Sequence, residues 1–196
     1  MFMKRFILLV LAMGFSILMT TAQSSYKLTT SKNLIKGTSS MHDWRCIIEK
    51  QTGDAEINTT GKLEIKSLFV RFDAKSIKSL KENGSYYDEG MDKNTYKALN
   101  VEVYPEIVFT LKNISNVKTV GNTSNLTVLG DLTVAGKTKT LSFPGKAIVN
   151  GNNITFTCTT KFKMTLFDIQ PPTALFGTIK TGDEIILDIN STFTKL

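Results

Sequence analysis

From Tyr26 to the end, the apolar residues of this chain recur with a period of two. Leu68, Val70, Phe72 and Ala74 alternate with Phe69, Arg71 and Asp73, and Ile107, Phe109 and Leu111 alternate with Val108, Thr110 and Lys112. Leu126, Val128, Leu132 and Val134 share one phase, and Leu141, Phe143, Ala147 and Val149 share another. Ile154, Phe156, Cys158, Phe162, Met164 and Leu166 form the longest stripe, and Ile185, Leu187, Ile189 and Phe193 close the chain. Successive side chains of a strand point to opposite faces, so each run buries one apolar face and wets the other. The wet faces are rich in Thr, Lys and Asn, as antiparallel strands with one buried side require. The pattern predicts an all-β fold.

Turn signals separate the runs. Asn150-Gly151 is a two-residue hairpin signal, Ala135-Gly136-Lys137 joins two more strands, and Gly121-Asn122 opens a polar loop. Thr181-Gly182-Asp183 leads into the last strand. Hairpins in chain order make a meander, and closing a long meander into a barrel removes its free edges. The alternative is an immunoglobulin-like sandwich. That fold places a Trp between two bridged cysteines, whereas Trp44 precedes Cys46 here. The expectation is one closed antiparallel barrel over residues 23–196. Three stretches depart from the period. Ser76 to Glu82 reads as a short helix stopped by Asn83-Gly84, and Met91 to Leu99 as a better one, with Met91, Thr95, Ala98 and Leu99 near one face. Pro171 to Phe176 reads as a single helical turn, because Pro suits a helix start.

The first 22 residues read as a signal peptide. Lys4-Arg5 is followed by an apolar-to-neutral stretch from Phe6 to Met19, and Thr20-Thr21-Ala22 offers small residues for cleavage before Gln23. The stretch is shorter than the ~20 residues of a membrane-spanning helix. Removal of residues 1–22 takes two of the seven net positive charges and leaves +5. Export places the chain in the periplasm or outside the cell.

Composition narrows the chemistry. One histidine excludes multi-His metal centres, and two cysteines exclude four-cysteine sites. The net charge of +7 is scattered over single lysines, which is not a nucleic-acid footprint. Asp88, Glu89 and Asp92 cluster without the spacing of a calcium loop, so no metal ligands are assigned. His42, beside Asp43, would need a nucleophile to act as a catalytic base, and no Gly-x-Ser-x-Gly or activated cysteine accompanies it. No catalytic residue is assigned. Cys46 and Cys158 share the phase of apolar neighbours on strands far apart in a meander, so two inward thiols are expected rather than a bridge. Phe72, Phe109, Leu132, Val134, Phe143, Phe156, Phe162, Met164, Ile185 and Leu187 all face inward in this reading. Small barrels can be filled by such side chains or can hold one apolar ligand, and the residue pattern leaves both open.

Four segments resemble the YceI-like family of exported bacterial lipid-binding proteins. They are Gly37-Thr38-Ser39-Ser40-Met41-His42-Asp43-Trp44; Val70 to Ser79 followed by Met91 to Leu99; Tyr104-Pro105-Glu106-Ile107-Val108-Phe109; and Gly130-Asp131-Leu132-Thr133-Val134-Ala135-Gly136-Lys137-Thr138-Lys139. They occur in the family's order and span nearly all of the chain after residue 22. Where the family often has Thr-Asp-Phe-Gly-Ile, this chain has Thr165-Leu166-Phe167-Asp168-Ile169. The resemblance implies an eight-stranded, lipocalin-like barrel with one or two short helices. It implies a pore, lined by the ten inward residues above, that holds a polyisoprenoid or another long-chain amphiphile. The lipid head is then expected at a mouth near Tyr86, Tyr87, Met91 and Tyr96. Binding rather than catalysis is implied, with no cofactor beyond the lipid, transient membrane contact, and a monomer or homodimer. The competing readings are an enzyme acting on such a lipid through His42 and Asp43, and an envelope β-domain without a pore.

Overall fold

The computed structural model describes residues 23–196; the expected signal peptide of residues 1–22 lies outside the described residues. The strands are β1 (Ser24–Ser31), β2 (Asn33–Ser39), β3 (Trp44–Ile48), β4 (Gln51–Asn58), β5 (Glu64–Asp73), β6 (Ile77–Leu80), β7 (Glu106–Val120), β8 (Thr123–Val134), β9 (Lys137–Asn150), β10 (Asn153–Lys163), β11 (Thr173–Ala174) and β12 (Ile179–Lys195). One helix, α1 (Glu89–Leu99), separates β6 from β7. All pairings are antiparallel. The ring runs β1-β4-β5-β7-β8-β9-β10-β12 and closes where β12 returns to β1, which makes eight staves. Strands β2, β3 and β6 prolong β1, β4 and β5 past bends, and β2 continues along β12.

Buried polar groups hold the bends. Asn33, fully buried, accepts from the Asn190 amide at 2.9 Å and the Ser191 hydroxyl at 3.2 Å, and donates to Gln51 at 3.2 Å. It therefore ties the β1–β2 bend to β12 and leaves no polar atom unpaired, as burial demands. Ser76 does the same for the next two bends. Its hydroxyl donates to the Asp73 carbonyl at 2.7 Å and accepts from the Lys50 amide at 2.9 Å.

The two ends of the barrel differ. At the base the ring is complete, and Tyr26, Ile57, Ile154 and Phe193 fill it with almost no exposure. Toward the other end two pairings run out. β7 pairs with β5 and never with β6. β9 leaves β10 after Lys146 meets Thr157, close to Pro144, which has no N–H to extend the ladder. The sheet therefore parts into β6-β3-β2-β12-β10 and β7-β8-β9. Helix α1 packs on β6 beside one gap, and a 3-10 turn, Met164–Phe167, packs against β9, β10 and β12 beside the other.

Two expected helices are corrected. Within Ser76 to Glu82, only Ser76 belongs to a 3-10 turn, Ala74–Ser76; Ile77–Leu80 is strand β6, paired with β3. Lysines at Lys75, Lys78 and Lys81 imitate a helical face, but Ile77 and Ser79 alternate inward and the open edge of β3 takes them. Pro171 to Phe176 is not a helical turn. Thr173 and Ala174 pair with Lys180 and Ile179, and the chain reverses between Leu175 and Thr178. Pro172 disfavours a helical conformation at Pro171, so the segment stays extended until it reaches the turn. The helix expected at Met91 to Leu99 is present and begins two residues earlier. Asp88 caps it by accepting from the Gly90 amide, and Asn100 closes it in the left-handed region at φ 51°.

Candidate functional site

Between the parted half-sheets lies a cavity of about 670 Å3. One wall comes from β2, β3, β10 and β12, with Ile35, Trp44, Cys46, Phe162, Ile185 and Leu187; the facing wall comes from β5, β7 and β8, with Phe72, Ile107, Leu132 and Val134. Helix α1 roofs it with Met91, Asn94, Thr95, Ala98 and Leu99, a stripe at helical spacing. Phe167 packs edge-on against Phe162, ring centroids 5.4 Å apart, and closes the gap beside β10. The lining is overwhelmingly apolar. Among its polar side chains, His42, Asp88, Asn94 and Thr173 are solvent-exposed and mark the open side. If each chain carbon takes ~30 Å3, a water's share of the liquid, the volume holds roughly 20 carbons.

Three of the four sequence segments explain how the walls are built, because each of their glycines seats an aromatic ring. A Cβ on Gly37 would lie 2.3 Å from the Trp44 indole, which crosses the β2–β3 pair and donates to the Thr38 carbonyl at 3.0 Å. A Cβ on Gly130 would lie 2.4 Å from the Phe109 ring, and one on Gly136 2.5 Å from Tyr104. Tyr104-Pro105-Glu106-Ile107-Val108-Phe109 is therefore clamped onto the Gly130 to Gly136 hairpin by two aromatic–glycine contacts. That clamp places Ile107 and Leu132 in the wall. The departure at Leu166 and Asp168 keeps the turn. Asp168 takes the left-handed conformation at φ 59° that glycine would adopt freely, and pairs with Lys137 at 3.0 Å.

The roof is anchored by one carboxylate. Asp92, almost fully buried, accepts from the Ser79 amide and hydroxyl, each at 2.7 Å, and pairs with Lys78 at 3.2 Å. Burial works to raise its pKa, but the Ser79 hydrogen bonds and Lys78 outweigh that and hold it below the ordinary 3.8. The helix is thereby fixed to β6. Asp92→Asn is expected to weaken this anchor by about 2 kcal/mol, the scale of hydrogen bonds to a charged group. Faster amide exchange across α1 at neutral pH would show it. Because the folded pKa is depressed, the carboxylate's contribution is complete above 3.8 and fades as pH falls through the folded value. The variant and the parent should therefore converge in strong acid.

The reactive-looking side chains are quiet. His42 Nδ1 lies 2.7 Å from the Asp43 carbonyl oxygen, which can only accept, so that nitrogen carries a proton and does not face a carboxylate. Burial, and next the charge of Asp92, push the Cys46 thiol up to about 12. Burial pushes Cys158 up to about 11, with the charge of Asp188 adding to it. Both are free thiols on β3 and β10, with β2 and β12 between them.

Of the ten expected pore residues, Phe72, Leu132, Val134, Phe162, Met164, Ile185 and Leu187 line the cavity. Phe109, Phe143 and Phe156 do not. Phe109 and Phe143 lie against each other at 6.0 Å, and Phe156 packs edge-on at 5.7 Å against Phe193 in the base. The cavity is a blind cup rather than a pore through the barrel. Of the expected mouth residues, Tyr87 and Met91 line it, whereas Tyr86 points outward toward Glu49. Tyr96 turns to the opposite side of α1, where its hydroxyl donates to the Lys75 and Ile77 carbonyls. Sequence reading missed Ile35, Trp44, Cys46 and Ile107 as wall residues. Their phase was visible in the alternation; their height along the barrel was not.

A family model described as the YceI-like domain matches residues 21–193. The fold is similar to that of BcnA from Burkholderia cenocepacia, with a TM-score of 0.64 and 18% identity over 83% of this chain and 95% of that one. A structure described as a polyisoprenoid binding domain from Saccharophagus degradans, implicated in plant cell wall breakdown, has a TM-score of 0.65 and 11% identity, covering 89% of this chain and all of that one. The Campylobacter jejuni YCEI protein has a TM-score of 0.57 and 19% identity, covering 77% and 84% of the two chains. At these identities the likeness is one of fold. No curated protein matches the sequence.

Proposed function

The chain belongs to the YceI-like family, and on that footing we propose that it binds and carries one long-chain amphiphilic lipid, a polyisoprenoid or a fatty-acid-like chain, in the cup beneath α1. The carrier works in the periplasm or outside the cell after cleavage near Ala22, as a monomer or homodimer, and needs no cofactor. The observation that carries the reading is a predominantly apolar cavity of about 670 Å3 with exposed polar side chains at its open side. Such a site takes the tail inward and leaves the head among Ser39, His42 and Asn94. Burying ~0.8 kcal/mol per methylene lets a long chain be held without a covalent bond. The neighbour from Saccharophagus degradans, named for polyisoprenoid binding, has the same fold and supports this class of cargo.

An enzyme acting on the lipid is the weaker reading. His42 is oriented by a main-chain carbonyl rather than a carboxylate, and the Cys46 thiol is held protonated. A packed β-domain would have no use for the cup. The test is organic extraction of the purified protein followed by mass spectrometry. One long-chain lipid per protein is the expected result. Protein that yields no lipid and takes up neither a prenyl alcohol nor a fatty acid would overturn the proposal.

A further inference from the structure

Large exposed apolar side chains gather around the mouth of the cup. Met41, Tyr87 and Leu175 all line the mouth and are 67%, 44% and 65% exposed. Phe176 stands beside Leu175 at the tip of the β11–β12 turn with its ring wholly in solvent, at 111%. Leu175 and Phe176 both hold the left-handed region, at φ 47° and 55°, which is unusual for bulky residues. The tip is held out from the body rather than folded onto it.

The rest of the segment is equally uncommon for a surface turn. From Ile169 to Ile179 there is no charged residue, although charged residues make up 21% of the chain. Part of its backbone is bonded within the turn. The Gly177 amide donates to the Ala174 carbonyl, Thr178 to Leu175 and Thr181 to Pro172, each at 3.1 Å. An uncharged, internally bonded turn with an apolar ring at its apex suits the boundary between lipid heads and acyl chains, where unpaired polar groups are costly. Lys180, exposed, directly follows the uncharged run, and a lysine's long stem lets its charge reach lipid phosphates while the apolar tip is buried. Asp88, next to Tyr87, also lines the mouth, so the apolar tip rather than net charge drives the contact.

We propose that the β11–β12 turn is a membrane-docking tip: Phe176 and Leu175 enter the surface of a lipid bilayer and bring the open cup against the leaflet from which its cargo is drawn. The occupant is a bilayer rather than a protein. The large side chains it exposes are apolar rather than hydrogen-bonding, and it is continuous with a cavity that the lipid-carrier reading fills from a membrane. The proposal rests on that reading for its purpose, but not for its test.

The test is sedimentation of residues 23–196 with phosphatidylcholine vesicles, with and without added phosphatidylglycerol. It compares the parent with Phe176→Ser and Phe176→Leu. Uptake of a dispersed prenyl alcohol, read by the fluorescence of Trp44, is measured in parallel. The parent and Phe176→Leu should sediment with both kinds of vesicle. Phe176→Ser should lose tenfold or more in vesicle affinity and keep its prenyl alcohol uptake. Phe176→Ser binding vesicles as well as the parent, or a parent that ignores vesicles, would overturn the proposal. So would a parent whose tip is covered by a second copy, seen as a dimer that Phe176→Ser converts to monomer. A parent that docks through Phe176 yet takes up no prenyl alcohol would uphold the docking tip and remove the cargo reading.

Discussion

Replacing Ala98 by Trp should lower the affinity for a long-chain lipid by more than a hundredfold and leave the barrel standing. Ala98 is half-buried on the roof helix and faces the cup. It lies outside the strands, so a larger side chain there disturbs no ladder. The added atoms would take up roughly two-fifths of the cavity at ~30 Å3 each. Displacing even four chain carbons forfeits about 3 kcal/mol at ~0.8 kcal/mol each, and a hundredfold in affinity is about 2.7 kcal/mol. Calorimetric titration with a prenyl alcohol reads the loss, and a urea melt reads the fold. Unchanged affinity would mean that the lipid lies somewhere other than beneath α1.

Phe193→Ala should have the largest effect on stability, about 3–5 kcal/mol. Phe193 is 1% exposed, contacts Phe156 edge-on, and lies over Gly53, where a Cβ would come within 3.2 Å of its ring. Nothing nearby can collapse into the space, because β12 is held there by both β1 and β10. Against a total stability of ~5–15 kcal/mol, such a loss shifts the urea midpoint far down. A loss below ~1 kcal/mol would show that the base of the barrel is not packed around this ring.

Much of this architecture could be read in the sequence because alternation reports which face of a strand is buried. The apolar residues from Leu126 to Phe162 and from Ile185 to Phe193 fall on β8, β9, β10 and β12 in the expected phases, and the Asn150-Gly151 hairpin joins β9 to β10. Met164 and Leu166 leave the expected stripe, because β10 ends at Lys163 and the chain turns into the 3-10 segment Met164–Phe167. What alternation cannot report is height. Phe156 and Phe162 are on the same face of the same strand, yet Phe162 lines the cup and Phe156 packs below it. Height is fixed by register across neighbouring strands and by where pairings stop. Those depend on pairings such as Leu187 with Ile35, between segments far apart in the chain. The helix was legible because Met91, Thr95, Ala98 and Leu99 share a face. Tyr96 was misplaced because its hydroxyl finds the Lys75 and Ile77 carbonyls, which only the folded β6 presents. The exposed tip at Phe176 gave no warning in an apolar stretch that also fits a buried turn.

The cup's size makes a claim of its own: affinity should grow with chain length only while there is room inside. Trp44 lines the wall and is the only tryptophan, so its fluorescence reports occupancy without a label. Titration with prenyl alcohols of two, three and four isoprene units should show affinity rising at least tenfold per unit, about 1.4 kcal/mol or more. It should then level off for longer chains, once roughly 20 carbons fill the volume. Affinities that do not depend on chain length, or titrations that leave Trp44 unchanged, would contradict a lipid tail held in the cavity beneath α1.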